Sequence, residues 1–130
     1  MPRKMSKFYY VDPESRLEAY EDAKNAITRK QGTREAVFED IFEAQVELAF
    51  QLEKFEYVFD YIAYLEETYQ YDRAIETVYR LVNYMAEIAQ YDDDLARAID
   101  ILEILLAEND IELEEDESDR LLYLRGRVYC

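Results

Sequence analysis

Carboxylates are the most abundant reactive groups in this chain: 31 Asp and Glu stand against 15 Lys and Arg, with no His and one Cys. Paired carboxylates do general acid–base work when one is held protonated and its neighbour ionised. Glu43 and Glu47 are one helical turn apart and could form such a pair. However, 26 acidic residues between positions 35 and 119 make that spacing common by chance, and a solvated helix face is the plainer reading. Asp92-Asp93-Asp94 lacks the alternating ligands, central Gly and distal Glu of a calcium loop. It reads as a capping turn, where negative charge favours a helix start. Di-metal carboxylate bundles draw Glu-x-x-His pairs from two helices, and no His is present to supply them. Weak association of Ca²⁺ or Mg²⁺ with the acidic run 108–119 is the most metal chemistry the sequence offers. Cys130 has no imidazole to activate it, and a single Cys builds neither an internal disulfide nor a thiolate zinc site. Gly32 and Gly126 stand alone, far from any phosphate-cradling pattern. The sequence therefore names no catalytic residue, no metal ligand set and no cofactor, and the chain reads as a non-enzyme.

The charge that dominates this chemistry is unevenly placed. Residues 1–34 hold eight basic and five acidic side chains, residues 35–119 hold four and 26 (net −22), and residues 120–130 add three Arg. A body of that sign repels nucleic-acid phosphates and anionic membrane surfaces. No window approaches 18 uncharged apolar residues, and MPRKMSKFYYVD has no apolar stretch behind its basic start, so neither a membrane span nor a secretory signal is read. The lone Cys fits a reducing compartment, which predicts a cytoplasmic location and leaves the nucleus open. Half of the 130 residues are hydrophobic, enough for a folded core despite the charge. One domain is expected at this length, with a basic tail 1–11, an acidic linker 109–119 and a last helix 120–129.

The elements that position these groups are all helical. Asp12-Pro13 reads as an N-cap and first helical residue, opening a helix to about Lys30 with Leu17, Tyr20, Ala23, Lys24 and Ile27 at 3–4 spacing. Gln31-Gly32 ends it and Thr33 can cap the next. That helix carries Val37, Ile41, Ala44, Leu48 and Leu52 on one stripe, with Phe38, Phe42, Val46, Ala49 and Phe50 beside it, a breadth that implies burial on two sides. A third helix is read from about Phe55 to Tyr69, a fourth after Tyr71-Asp72 to about Gln90, and a fifth from about Leu95 to Glu108. Asp116 or Ser118 can cap the last segment, with Leu121, Leu122, Leu124, Val128 and Tyr129 apolar. Loops of a few residues join the first five, so neighbours must be antiparallel hairpins.

Within this pattern, LEKFEYVFDYIAYLEE resembles the turn and second helix of a tetratricopeptide repeat, with Phe55 at the aromatic position, Val58 at the small one and Ile62 inward. YMAEIAQYDDDLARAIDILEILLAEN resembles the motif again, with Ala86 where close packing wants a small residue, Ala98 at the small position, and Leu102 and Leu105 inward. LLYLRGRVY looks like the first helix of a further repeat, Gly126 being its close-packing residue. Val58 to Ala98 and Ala86 to Gly126 are each 40 residues, against a family period of about 34. The resemblance covers residues 36–129 and implies an all-α tetratricopeptide-like array of about six helices in stacked hairpins. In such an array the first helix of each hairpin lines a groove. With Phe42, Val82 and Leu122 as the inward residues, the groove-facing positions are Asp40, Glu43, Glu47 and Phe50. On the next helix they are Arg80, Asn83, Glu87 and Tyr91, and on the last Arg120, Tyr123 and Arg127. The groove would grade from acidic to basic, which would set the direction of a bound peptide.

Thirteen Tyr, many beside the apolar stripes, fit half-buried seams between helices or a groove lining. The expected function is a protein-interaction module or adaptor, binding a peptide or helix of another protein. The alternative is a self-assembling structural subunit, and a carboxylate-based metal protein or enzyme stands well behind both. The stripe of residues 120–130 should be covered, either by further helical repeats of a longer chain or by a partner or second copy. Because no basic stripe interrupts the −22 body, labelled DNA and RNA should show no salt-sensitive retention at physiological salt. Micromolar binding in a filter or mobility assay would contradict this.

Overall fold

Pro13 opens the first helix as its position after Asp12 predicts, and the Arg16 amide donates to the Asp12 carbonyl at 3.1 Å. The computed structural model describes residues 12–29, 35–88 and 91–129. The tail 1–11, the Gln31-Gly32 stop, the Thr33 cap, Gln90 and Cys130 lie outside the described residues. Six helices follow in order: α1 Pro13–Arg29, α2 Glu35–Leu52, α3 Phe55–Glu67, α4 Tyr71–Ala86, α5 Asp92–Glu108 and α6 Glu115–Tyr129. Helices adjacent in the chain pack together in the pairs α1–α2, α4–α5 and α5–α6.

Of the helices that start earlier than their apolar stripes suggest, α5 and α6 do so for one reason. Asp92, Asp93 and Asp94 form the first turn of α5, and Tyr91 at the N-cap makes no side-chain capping bond. Likewise Glu115, Asp116 and Glu117 form the first turn of α6, so the acidic linker contracts to 109–114. Carboxylates favour the positive end of a helix whether they cap it or lie within its first turn. The Ser118 amide closes that turn on the Glu114 carbonyl at 2.9 Å.

The reversals after α2, α3 and α5 use no glycine. Glu53, Tyr69 and Asp110 have φ of 56°, 61° and 54°, each just past the end of α2, α3 or α5. Beyond each, the next amide reaches back to close the same six-residue ring: Lys54 to the Ala49 carbonyl (2.9 Å), Gln70 to Leu65 (2.8 Å) and Ile111 to Leu106 (2.9 Å). This is the Schellman arrangement, which satisfies carbonyls that a helix end leaves unpaired.

The chain forms two compact units, residues 1–61 and 62–130, with the division inside α3. In the first, α1 packs against α2. Gln45 is fully buried, and its amide donates to the Leu17 carbonyl at 3.2 Å and to Glu21 Oε1 at 3.0 Å. Lys24 lies 3.4 Å above the Phe42 ring centroid and 3.1 Å from Glu21 Oε1. Burial pushes the Glu21 carboxyl up, but the Gln45 amide and the Lys24 ammonium outweigh it and hold Glu21 below the ordinary carboxylate range. Phe42 also meets Tyr61 of α3, with ring centroids 5.0 Å apart.

In the second unit α4 packs against α5 and α5 against α6. Ala74, Val78, Leu81 and Met85 of α4 and Leu95, Ala98, Ile99, Leu102 and Leu105 of α5 are fully buried. The last helix enters this core through Leu121 and Leu124, which are 7% and 3% exposed. The register expected for α6 is corrected here: Leu122, read as inward, is 65% exposed. Gly126, read as a close-packing residue, has nothing within 4 Å of where a Cβ would stand.

Asp110 carries a side chain in a left-handed conformation that disfavours one by about 1–2 kcal/mol. Asp110→Gly should therefore raise stability by about 1 kcal/mol, less the entropy that glycine adds to the unfolded chain. A urea midpoint lowered by the full cost of glycine at an ordinary backbone position, about 0.5–1 kcal/mol, would contradict the left-handed turn.

Candidate functional site

Glu117, Arg120, Leu124 and Arg127 recur at 3–4 spacing and so lie along one flank of α6. Three bonds tie this flank to α4. The Tyr79 hydroxyl donates to Glu117 Oε2 at 3.1 Å, Arg120 Nη1 donates to Asn83 Oδ1, and Arg127 Nη1 donates to the Ala86 carbonyl at 2.8 Å. Residue numbers rise together on both sides, so α4 and α6 run parallel, as the first helices of successive hairpins should. Between the first two ties lies a cleft of about 400 Å³, lined by Tyr79, Val82, Asn83, Glu117, Arg120 and Leu121. Val82 and Leu121 form an apolar floor, and an amide, a carboxylate, a guanidinium and a phenol form the rim.

Arg127 sits where the last carbonyls of α4 are exposed, a favourable place for a cation. Its Nη2 is buried and has no hydrogen-bond partner. Burial, the bond to Glu117 and the Glu117 charge push the Tyr79 phenol up to about 12. On the opposite flank of α6, Arg125 bridges Asp100 Oδ1 at 2.9 Å and Glu103 Oε2 at 2.7 Å. Those bonds, to Asp100 and then Glu103, raise its guanidinium above the ordinary value.

The expected groove residues separate by unit. On α2, in the first unit, Asp40, Glu43 and Glu47 are exposed, and Glu43 Oε1 accepts from the Tyr61 hydroxyl at 3.3 Å. Phe50, expected to line the groove, is instead a core residue at 3% exposure, because the broad apolar stripe of α2 wraps far enough to bury it. In the second unit Arg80, Asn83, Glu87, Arg120 and Tyr123 are exposed, while Tyr91 and Arg127 are half-buried. The structure joins Asn83 to Arg120 and brings Arg127 onto the end of α4. Tyr79 and Glu117 are the site residues that the sequence reading missed. Glu117 fell in the expected linker, although its spacing of three and ten residues to Arg120 and Arg127 is the mark of a shared face.

Among the described residues no group of three or more His, Cys, Asp or Glu is placed to hold a metal ion, and no helix is long and apolar enough to cross a membrane. The chain matches no family model, and no curated protein or solved structure shows significant similarity to it.

Removing the Glu117 charge should move the Tyr79 phenol down from about 12 toward its ordinary value near 10. The Tyr79–Glu117 contribution to stability is fully present below about pH 10 and is lost as pH rises through about 12. A ¹³C NMR titration of tyrosine Cζ, assigned with Tyr79→Phe, checks this: Glu117→Gln should lower that one transition, and an unmoved transition would reject the contact.

Proposed function

We propose that the chain is a tetratricopeptide-like protein-interaction module that takes a segment of a partner protein along the α4–α6 face. The observation that carries this reading is the pair of parallel helices tied at three points around an open cleft of about 400 Å³. An apolar floor contributes binding energy through burial, and a rim of both charge signs orients what lies on it. Arg80 and Glu87 extend the exposed polar surface along α4, and Tyr123 is 69% exposed on α6, a residue type suited to interface anchoring. The module acts without catalysis, in the cytoplasm, as an adaptor or scaffold, and the all-α hairpin architecture supports a binding role in general.

The test pairs Asn83→Ala with Arg120→Ala and leaves Arg127 in place, because its bond to the Ala86 carbonyl supports the fold. Exposed substitutions shift stability by about 0.5 kcal/mol each, so the double variant should keep its melting profile. Quantitative capture from extracts of the source cells should recover a protein on the wild type and lose at least about nine-tenths of it on the variant. Identical capture by both would reject this face.

A further inference from the structure

On the other flank of α6 a second cleft, of about 490 Å³, opens between the end of α5, the 109–114 connection and α6. Leu106, Leu113 and Leu121 line its interior, and Ile111 and Leu122 stand at its mouth. Leu106 and Leu121 are 6% and 7% exposed, whereas Ile111 and Leu122 are 40% and 65% exposed. The wall is fixed by the backbone: the Ile111 amide bonds the Leu106 carbonyl at 2.9 Å across the left-handed Asp110. A concave apolar surface is thus preformed, with two large aliphatic side chains left in water beside it.

The surroundings of this cleft have one sign. Residues 108–119 carry eight carboxylates and no basic side chain. Glu112 lines the cleft and is exposed, and exposed Glu108, Asp110 and Glu114 flank it. Glu103 also lines it, but is answered by Arg125 at 2.7 Å. The Glu66 carboxyl near the end of α3 is raised by burial and by the charges of Glu108 and Glu67, so negative potential already crowds this end of the unit.

We propose that this cleft docks a basic amphipathic segment of a partner protein, whose large aliphatic or aromatic side chains fill the apolar interior while flanking Lys or Arg pair with the 108–119 carboxylates. Charge selects this occupant. A second copy brings the same carboxylates and a net charge of −16, and nucleic acids and anionic lipids are repelled. The inference rests on the reading of the chain as a protein-binding module, but it uses the opposite flank of α6 from the α4–α6 face.

The full chain is titrated by fluorescence anisotropy against three labelled synthetic peptides of about 14 residues, four helical turns. One carries Leu at helical spacing with Lys between, the second replaces each Lys by Glu, and the third replaces each Leu by Ser. The Leu/Lys peptide should bind at least about ten-fold tighter than the other two and weaken with added salt. Glu112→Lys combined with Leu122→Lys, with an unchanged far-ultraviolet circular dichroism spectrum, should weaken it about ten-fold. Asn83→Ala with Arg120→Ala should leave it unchanged, which separates failure here from failure of the α4–α6 face. Equal binding of the Ser peptide, or undiminished binding by the Lys double variant, would overturn the proposal by reducing it to attraction toward a polyanion. A wild-type dimer in sedimentation equilibrium that the Lys double variant returns to monomer would overturn it by giving the cleft to a second copy.

Discussion

The helix ends of α2, α3 and α5 depend on reversing the chain without glycine. Glu53, Tyr69 and Asp110 each accept a left-handed backbone that disfavours a side chain by about 1–2 kcal/mol. What holds them there is the paired return of two amides onto the preceding helix. Asp110 donates to Ala107 and Ile111 to Leu106, and the same pattern recurs from Glu53 and Lys54 and from Tyr69 and Gln70. Such a turn is short and directional, so the helix that follows must come back along the one that precedes it. The return of α6 along α5 and the cleft bordered by the 109–114 connection follow from that constraint. It also explains why these three connections are tight although none of them contains a glycine.

The helices themselves were legible because their apolar residues recur at 3–4 spacing and because Asp12-Pro13 marks a start. The N-termini of α5 and α6 were not, since Asp and Glu suit a cap and a first turn equally, and Asp92 and Glu115 turned out to lie inside their helices. The reversals were invisible as to type, because the usual sign of a left-handed residue is a glycine. The register of α6 was ambiguous for a plain reason: Leu121, Leu122 and Leu124 are all apolar, and periodicity cannot say which two face inward. The tie from Arg120 to Asn83, with Arg127 on Ala86, turns the helix so that Leu121 and Leu124 are buried and Leu122 is not. Phe50 was lost from the expected groove by the same kind of ambiguity on α2, where the apolar residues cover two adjoining stripes.

Charge organises the second unit in a way that a count of residues conceals. The three Arg of residues 120–130 look in sequence like a basic end opposed to the acidic body. In the structure each points to a different partner: Arg120 to Asn83, Arg125 to Asp100 and Glu103, and Arg127 to the Ala86 carbonyl. They act first as ties for α6, two toward α4 and one toward α5. What stays unopposed by basic side chains in the local sequence is the carboxylate run 108–119, and that run borders an apolar cleft.

The attachment of α6 differs in kind from that of its neighbours. Six residues of α4 and six of α5 are buried, whereas α6 contributes Leu121 and Leu124 to the core. Its polar ties to α4 and α5 are half-exposed or exposed hydrogen bonds and an exposed ion-pair bridge, which hold orientation but supply little net stability. Segments with few buried apolar contacts open at lower free energy than the core around them. The end of the second unit is thus its most easily displaced part, and it carries a cleft on each flank. Leu121 lines both. The same buried side chain thus gives apolar surface to both clefts, while the polar groups that border them are different: Tyr79, Asn83 and Arg120 on one side, Glu103, Glu112 and Ser118 on the other.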